Sequence, residues 1–459
     1  MKKYDAIIIG FGKGGKTLAG FLANKGQRVA VIEKSDKMYG GTCINVGCIP
    51  SKSLVNSAEK IENKSFSTFE EKERYYRDSI QKKEKLIAAL RGKNYEMLAS
   101  RETITIYDGI GSFLSNKIVN IKEHNGNDIQ IEGDKIFINT GSTTVIPDIE
   151  GLRKSKHILT STSAMNLEKL PEKLIIIGAG YIGLEFASTY TQFGSEVTVI
   201  DNSDSILQNE ESEIADRVKG ILESKGVKFV LGVKVEQVKD SENGVTVKVR
   251  NKQNEILEIE GCKVLAAIGR KANTEDLELE RAGIKTDEKG AIIVNDKLET
   301  TSENIWAMGD VKGGLQFTYI SLDDFRIIRD NVYGNGDRSL NDRNVIPYSI
   351  FIDIPLSRVG ITEKEALQKG YNIKIGKLEA MTIPKGKIEG KSEGLLKVII
   401  DTETNKILGA TLLCYNSYEV INIIALAMKA GQPYQLIRDM IFTHPTMSEV
   451  LNDLFGSVK

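Results

Sequence analysis

Two stretches of this chain repeat one local pattern that leaves little freedom of fold. The first, YDAIIIGFGKGGKTLAGFLANKGQRVAVIEK, runs from an apolar strand at residues 6–9 into Gly10, Gly12 and Gly15. A helical pattern follows, then a strand that closes on Glu33. The second, KLIIIGAGYIGLEFASTYTQFGSEVTVID, repeats the order with Gly178, Gly180 and Gly183 and closes on Asp201. A G-x-G-x-x-G triplet alone is weak. With a strand before it, a helix after it and an acid about 20 residues on, it predicts a βαβ dinucleotide unit. The glycines let backbone N–H groups approach a pyrophosphate at a helix N-terminus, and the acid accepts from ribose hydroxyls. Two adenine dinucleotides in one chain point to a flavin and a nicotinamide, with a hydride passing between them. Asp201 favours a free 2′-hydroxyl and repels a 2′-phosphate, which predicts NADH over NADPH. Arg217 and neighbouring lysines are the residues that would tolerate the phosphate instead.

Length and composition agree with several packed domains. The 459 residues are 41% hydrophobic and 27% charged, enough for substantial cores. The 62 basic and 63 acidic residues nearly cancel and form no long blocks of one sign, which argues against a nucleic-acid partner. The lysines before residues 6–9 imitate a signal peptide, but the apolar run is too short for one. No stretch approaches a membrane span. The expected setting is cytoplasmic, with no membrane partner.

The segment GGTCINVGCIPSK, residues 40–52, puts Cys43 and Cys48 into one turn of a chain with only two other cysteines. A metal site, a structural disulfide and a catalytic dithiol compete for it. Zinc wants further thiols or nearby imidazoles, and His124, His157 and His444 all lie far along the chain. No metal is expected. Structural disulfides are rare in a reducing compartment, which favours a reactive pair without excluding a staple. Cys262 and Cys414 stand alone in segments that read as strand or strand end, and are expected as small buried hydrophobes.

Taken together, these features resemble the pyridine nucleotide–disulfide oxidoreductases, the family of glutathione reductase, lipoamide dehydrogenase and mercuric reductase. Residues 135–142, KIFINTGS, look like its Thr-Gly crossover. LAAIGRKANT (265–274) is similar to its A-x-G-R-x-P-N signature, with Ala272 in place of proline. TTSENIWAMGD (300–310) resembles its second flavin motif, and FTHPTMSE (442–449) its H-P-T-x-x-E element. The resemblance implies FAD held by Gly10, Gly12, Gly15, Glu33, Gly41, Thr42, Lys52, Thr140, Gly141 and Asp310. It implies NADH or NADPH held by Gly178, Gly180, Tyr181, Gly183, Asp201 and Gly269. It makes Cys43–Cys48 a redox-active disulfide, with Cys48 the charge-transfer thiolate and Cys43 the nucleophile facing substrate. The helix that IPSKSLVNSAEK predicts would help lower the thiol pKa values. Lys52 would stabilise the reduced flavin, paired with Glu185, and Tyr181 would lid the nicotinamide pocket. His444, oriented by Glu449, would be the general acid/base, supplied by the partner of a homodimer that shares its active sites.

The implied fold is α/β, with two Rossmann-like dinucleotide-binding domains, for FAD and NAD(P), and a C-terminal α+β dimerisation domain. The expected boundaries are 1–147 and 271–345 for FAD, 148–270 for NAD(P) and 346–459 for dimerisation. Residues 57–99 read as long charged helices with a solvated face. The chain departs from the larger branches. With no heavy-metal-binding segment ahead of the first glycine turn and no cysteine pair in LFGSVK, the sequence is not expected to be a standard mercuric reductase or a large thioredoxin reductase. GGLQFTYISLDDFRIIRD (313–330) replaces an alanine-rich helix start, and PLSRVG (355–360) stands where most members have P-E-x-A-x-V-G. These variants look like the reactive-chlorine-resistance branch, which implies a small oxidant as substrate, hypothiocyanous acid first and Cu(II) second. A disulfide or dihydrolipoamide dehydrogenase-like activity is the alternative within the enzyme class. A non-enzymatic flavin-bound redox sensor is the alternative outside it.

Overall fold

The opening strand is the centre of the first sheet. In the computed structural model, which describes residues 1–61 and 64–459, Lys2–Ile9 pairs in parallel with Val29–Glu33 and with Asp128–Ile138. Ile104–Phe113 and Ile305–Ala307 extend the parallel order at its two edges. Ile118–Glu123 runs antiparallel between Ile104–Phe113 and Asp128–Ile138. Ile7, Ile8, Ile136 and Phe137 are completely buried, as an apolar run covered on both faces must be. Helix Lys13–Asn24 starts directly after the first glycine turn. Gly10 has φ +103°, and a Cβ there would lie 2.3 Å from the Asn139 carbonyl oxygen. Only glycine fits.

The second sheet repeats this plan. Lys173–Ile177 lies between Glu196–Ile200 and Lys263–Ala266, with Lys228–Val230 and Ile158–Leu159 outside them, all parallel. Helix Tyr181–Phe193 follows the second glycine turn. An antiparallel ribbon of Lys234–Asp240, Val245–Arg250 and Ile256–Gly261 is attached to it. Strands Ser142–Thr144 and Arg270–Ala272 pair where the chain crosses between the two units. The C-terminal part is a five-stranded antiparallel sheet, ordered Tyr348–Ile350, Leu356–Gly360, Ile407–Leu413, Leu395–Asp401, Ile373–Glu379. The apolar helix Ser417–Lys429 packs on it. The α/β architecture with two Rossmann-like units and an α+β end is therefore present.

Two expectations need correction. Within 57–99, residues 62 and 63 lie outside the described residues; Phe69–Ala99 is one helix of 31 residues, opened by a Thr68–Glu71 capping box. Its face is not merely solvated. Tyr76 and Lys83 are fully buried, and the Tyr76 hydroxyl meets that of Tyr190 at 3.1 Å. Near its far end, Asn94 bonds the Lys16 ammonium and Tyr95 packs on Tyr39. Cys414 is buried as expected, but Cys262 is only half-buried, because it sits in the short turn joining Ile256–Gly261 to Lys263–Ala266. Among the described residues no helix is long and apolar enough to cross a membrane.

One side chain ties the layers of the first unit together. The Asn139 Oδ1 accepts the Gly15 N–H at 2.9 Å, while its Nδ2 donates to the Met308 carbonyl at 2.7 Å and to Ser321 Oγ at 3.2 Å. It is 6% exposed. Asn139→Leu keeps the volume but leaves the Gly15 N–H and the Met308 carbonyl unpaired. Each buried group stranded in this way costs about 1–3 kcal/mol. The variant is expected to unfold at distinctly lower urea concentration, by about 2–6 kcal/mol in all, and to lose flavin faster. Equilibrium unfolding and flavin release measure both; parental stability would show that the amide is no tie.

Candidate active site

A cavity of 480 Å³ opens at the C-terminal edge of the first sheet. Gly10, Gly12, Glu33, Gly41, Thr42, Thr140, Gly141 and Asp310 line it together with both cysteines of the turn. Gly15 does not; it packs under the turn, where a Cβ would stand 2.7 Å from the Gly10 carbonyl oxygen. Glu33 is 8% exposed and its Oε2 accepts the Phe11 N–H at 3.0 Å. Burial raises its pKa, and the hydrogen bond opposes the rise. Asp310 accepts from Ser142 Oγ at 2.7 Å, and Arg270 donates to the same Ser142 hydroxyl at 2.8 Å. The residues fit FAD. The cavity floor is bare backbone at Gly10, Gly12 and Gly41, where any Cβ would collide with Asn139 or Gly12. A phosphate needs such an approach at a helix N-terminus, and the Glu33 carboxylate stands ready for a ribose.

The cysteines enter this cavity from one short turn of helix and the start of a longer one. Cys43 lies in Thr42–Asn45, and Cys48 opens Cys48–Glu59 directly after Gly47. The Cys48 thiol donates to Cys43, and this bond, with the Thr318 hydroxyl and the Lys16 ammonium, holds Cys43 down to about 6 against its burial. The same bond and burial keep the proton on Cys48, although Lys52 pulls the other way. Burial lowers Lys16 to about 8, with Lys13 adding to the fall and Cys43 opposing it.

Behind Cys48 the expected ion pair is present. Lys52 Nζ lies 2.6 Å from Glu185 Oε2, bringing the cysteine helix against Tyr181–Phe193 of the second unit. Glu185 also accepts the Phe351 N–H at 2.8 Å, and Lys52 lies 4.6 Å over the Phe351 ring. Three parts of the chain meet at this one carboxylate.

A second cavity, of 770 Å³, lies at the edge of the second sheet. Gly178, Gly180, Tyr181, Asp201 and Gly269 line it. Gly183 sits beneath, its missing Cβ leaving room for the Gly178 carbonyl at 2.0 Å. Asp201 accepts the Ala179 N–H at 2.7 Å and the Ser203 N–H at 2.8 Å. Arg217 is not here. It points from helix Ser212–Ser224 to Glu379, bonded at 2.9 and 3.1 Å, because the helix turns that face toward the C-terminal sheet. Lys234 and Arg270 are the basic residues at this cavity, and Arg270 and Gln316 line both cavities.

His444 stands elsewhere. Its Nδ1 is 2.8 Å from Glu449 Oε2, as the motif predicts, but it does not line the cysteine cavity of its own chain, and its side chain is 69% exposed. Among the described residues one cluster has metal-ligand spacing, Glu211, Glu213 and Glu363. Lys397 already occupies its centre, within 2.5–2.6 Å of all three. Sequence reasoning missed Asn139, Lys16, Thr318 and Gln316. Asn139 adjoins the Thr-Gly crossover and was within reach; the others join the site only through contacts across the fold.

Comparison with known proteins agrees with this geometry. Residues 4–324 match the pyridine nucleotide-disulphide oxidoreductase family, and residues 346–455 match that family's dimerisation domain. The chain is 47% identical, over all of both sequences, to the probable pyridine nucleotide-disulfide oxidoreductase RclA of Escherichia coli (strain K12). It is 33% identical to the dihydrolipoyl dehydrogenase of Bacillus subtilis (strain 168), over 98% of this chain and 97% of that one. A solved Cu(II) complex of the HOCl-induced flavoprotein disulfide reductase RclA from Escherichia coli superposes with a TM-score of 0.94 at 46% identity, covering both chains completely. The chain therefore belongs to the pyridine nucleotide-disulphide oxidoreductases and is an NAD(P)H-dependent flavoprotein oxidoreductase.

Proposed function

We propose that this protein is a homodimer that uses NADH, through FAD and the Cys43–Cys48 pair, to reduce hypothiocyanous acid in the cytoplasm. The observation that carries the reading is Cys43, a thiol drawn toward its anion by a neighbouring thiol, Thr318 and Lys16 inside the flavin cavity. A thiolate of this kind attacks electrophilic sulfur. The oxidant class is supported by the similarity to a reductase described as HOCl-induced. Residues 1–147 with 271–345 form the FAD domain in this reading, 148–270 the NAD(P) domain and 346–459 the dimerisation domain.

FAD, when bound, takes two electrons from the nicotinamide and delivers them to the disulfide. The remaining work belongs to the side chains. Lys52, fixed by Glu185, presents a cation on the Cys48 side. Cys43 thiolate attacks the sulfur of hypothiocyanous acid, forming a sulfenyl thiocyanate and releasing the oxygen as hydroxide, which takes a proton to leave as water. Cys48, as thiolate, attacks the Cys43 sulfur, expels thiocyanate and restores the disulfide. His444 of the partner subunit supplies and removes these protons, held by Glu449. An exposed apolar set beside His444, led by Ile441 at 95% exposure, supports burial against a second copy. Cu(II) is the second acceptor, supported by the Cu(II) complex of RclA; two Cu(II) ions would take the two electrons of one dithiol.

The direct test is NAD(P)H oxidation by the holoenzyme with hypothiocyanous acid, oxidised glutathione, lipoamide or Cu²⁺ as acceptor. Hypothiocyanous acid is expected to give the highest kcat/KM, and NADH to exceed NADPH because Asp201 stands at the ribose position. A better lipoamide or glutathione rate would overturn the substrate, and a better NADPH rate would show that Lys234 outweighs Asp201.

The thiol assignment predicts a pH dependence. A pKa lowered to about 6 means that Cys43 is thiolate above that pH and is protonated below it. Alkylation of the reduced holoenzyme by iodoacetamide should modify Cys43 before Cys48, with a rate that is level at pH 8 and falls as pH drops through about 6. Mass spectrometry that finds Cys48 labelled first would reverse the roles.

His444→Ala is expected to leave flavin binding and flavin reduction intact and to slow dithiol turnover by roughly 10²–10⁴-fold. The effect will be smaller with hypothiocyanous acid, because thiocyanate leaves without much protonation. Co-expressing differently tagged His444→Ala and Cys43→Ser subunits gives dimers with one doubly damaged and one intact site. These should recover about half the parental rate if His444 acts across the interface. Purified mixed dimers without activity would place His444 in its own chain's chemistry or outside the reaction.

A further inference from the structure

The two segments in which this chain departs from its larger relatives, 313–330 and 355–360, meet in space. Phe317 stacks on Tyr319 with centroids 5.1 Å apart and on Tyr348 at 6.0 Å. Tyr348 stacks in turn on Tyr181 at 5.6 Å. The Arg358 guanidinium lies 5.6 Å over the Tyr348 ring. One buried carboxylate fixes the Tyr181 end of this column. Glu210, whose side chain is 0% exposed, accepts the Tyr181 hydroxyl at 2.8 Å and the Tyr348 hydroxyl at 2.5 Å on Oε1. Its Oε2 accepts Arg358 at 3.2 Å, and Arg358 is held further by the Asn209 carbonyl at 2.6 Å.

Tyr181 is the first residue of helix Tyr181–Phe193 and lines the second cavity beside Gly180. Gln316 and Arg270 line both cavities, so this is where the two approach one another. We propose that Glu210, Arg358 and Tyr348 are positioning residues that latch Tyr181 across the inner end of the second cavity and so set how readily the nicotinamide cofactor is admitted. The proposal rests on reading that cavity as the nicotinamide site. A lid that must open before binding lowers the apparent affinity by the fraction of time it is open. A phenol bonded to a buried, ion-paired carboxylate is a charge-assisted bond, the strong kind, so the latched form is the major one. Burial lifts Tyr181 to about 12, with Glu210 adding to the rise, and the phenol stays a donor throughout the physiological range.

The arrangement explains why both departures occur in one chain. An alanine-rich start at 313–330 would remove the Phe317 ring from Tyr348, and a segment without Arg358 would leave the buried Glu210 charge without a cation. The latch joins the nucleotide unit to the C-terminal sheet, since Tyr348 and Arg358 face one another across its paired strands.

Tyr181→Phe keeps the ring and deletes its bonds to Glu210 and, at 3.4 Å, to the Tyr348 hydroxyl. Glu210→Gln keeps an acceptor but removes the charge. NAD⁺ binding to the oxidised holoenzyme, measured by calorimetry, reads the lid without any turnover. The expected result is a Kd lowered roughly tenfold in Tyr181→Phe and roughly threefold in Glu210→Gln. In Glu210→Gln, KM for NADH should fall in step with the limiting rate of flavin reduction held, a split that a general loosening of the fold would not give. An unchanged or higher Kd in Tyr181→Phe overturns the latch, whether or not Glu210→Gln folds. Parental protein that binds neither NAD⁺ nor NADP⁺ would overturn the nicotinamide reading of the cavity itself, and the latch with it.

Discussion

The first unit depends on the amide of Asn139. A glycine turn that carries a phosphate has to leave its backbone uncovered, and uncovered backbone needs support from behind. Asn139 gives it, accepting from Gly15 and donating to Met308 and Ser321. Ser321 then accepts the Gly14 N–H at 3.2 Å, so the second flavin segment also braces the first glycine turn. These bonds fix where helix Thr318–Tyr333 begins, and with it Thr318, which reaches Cys43. The position of the reactive sulfur is thus inherited from the packing that makes room for the cofactor.

Charge is distributed around the cysteines in two separate sets. Lys16 and Thr318 serve Cys43, while Lys52 faces Cys48 and is tied by Glu185. Lys16 is 5% exposed and bonded to Asn94, so its ammonium is held in a place that burial makes costly. The long helix Phe69–Ala99, which supplies Asn94, therefore contributes to the chemistry through a contact far from its charged outer face.

What could be read from the sequence was local. The glycine turns, Glu33 and Asp201 follow from spacing within a few dozen residues, and the doubled α/β plan follows from repeating that unit, whereas the His444–Glu449 pair and the C-terminal domain follow from the family resemblance. Lys52–Glu185 was legible only because a family pattern joins two distant segments. Arg217 was misplaced because it stands near Asp201 in sequence, whereas the helix carrying it presents it to Glu379. Asn139 to Gly15, Lys16 to Asn94 and Glu210 to Arg358 span 124, 78 and 148 residues. Nothing in a single sequence marks such pairs, since each partner alone is an ordinary polar residue.

The C-terminal sheet consequently has a part in both halves of the proposed cycle. Through Tyr348 and Arg358 it holds Tyr181 of its own chain, where electrons enter. Through His444 it would face the cysteines of the partner subunit, where they leave. Both sets of residues are anchored on one buried core, in which Val359 and Val450 are packed together in a single cluster. Interiors packed at this density transmit displacement rather than absorb it. The core that sets Tyr348 and Arg358 against Tyr181 is therefore also the core that sets the His444–Glu449 pair, so the proposed points of entry and exit share one frame.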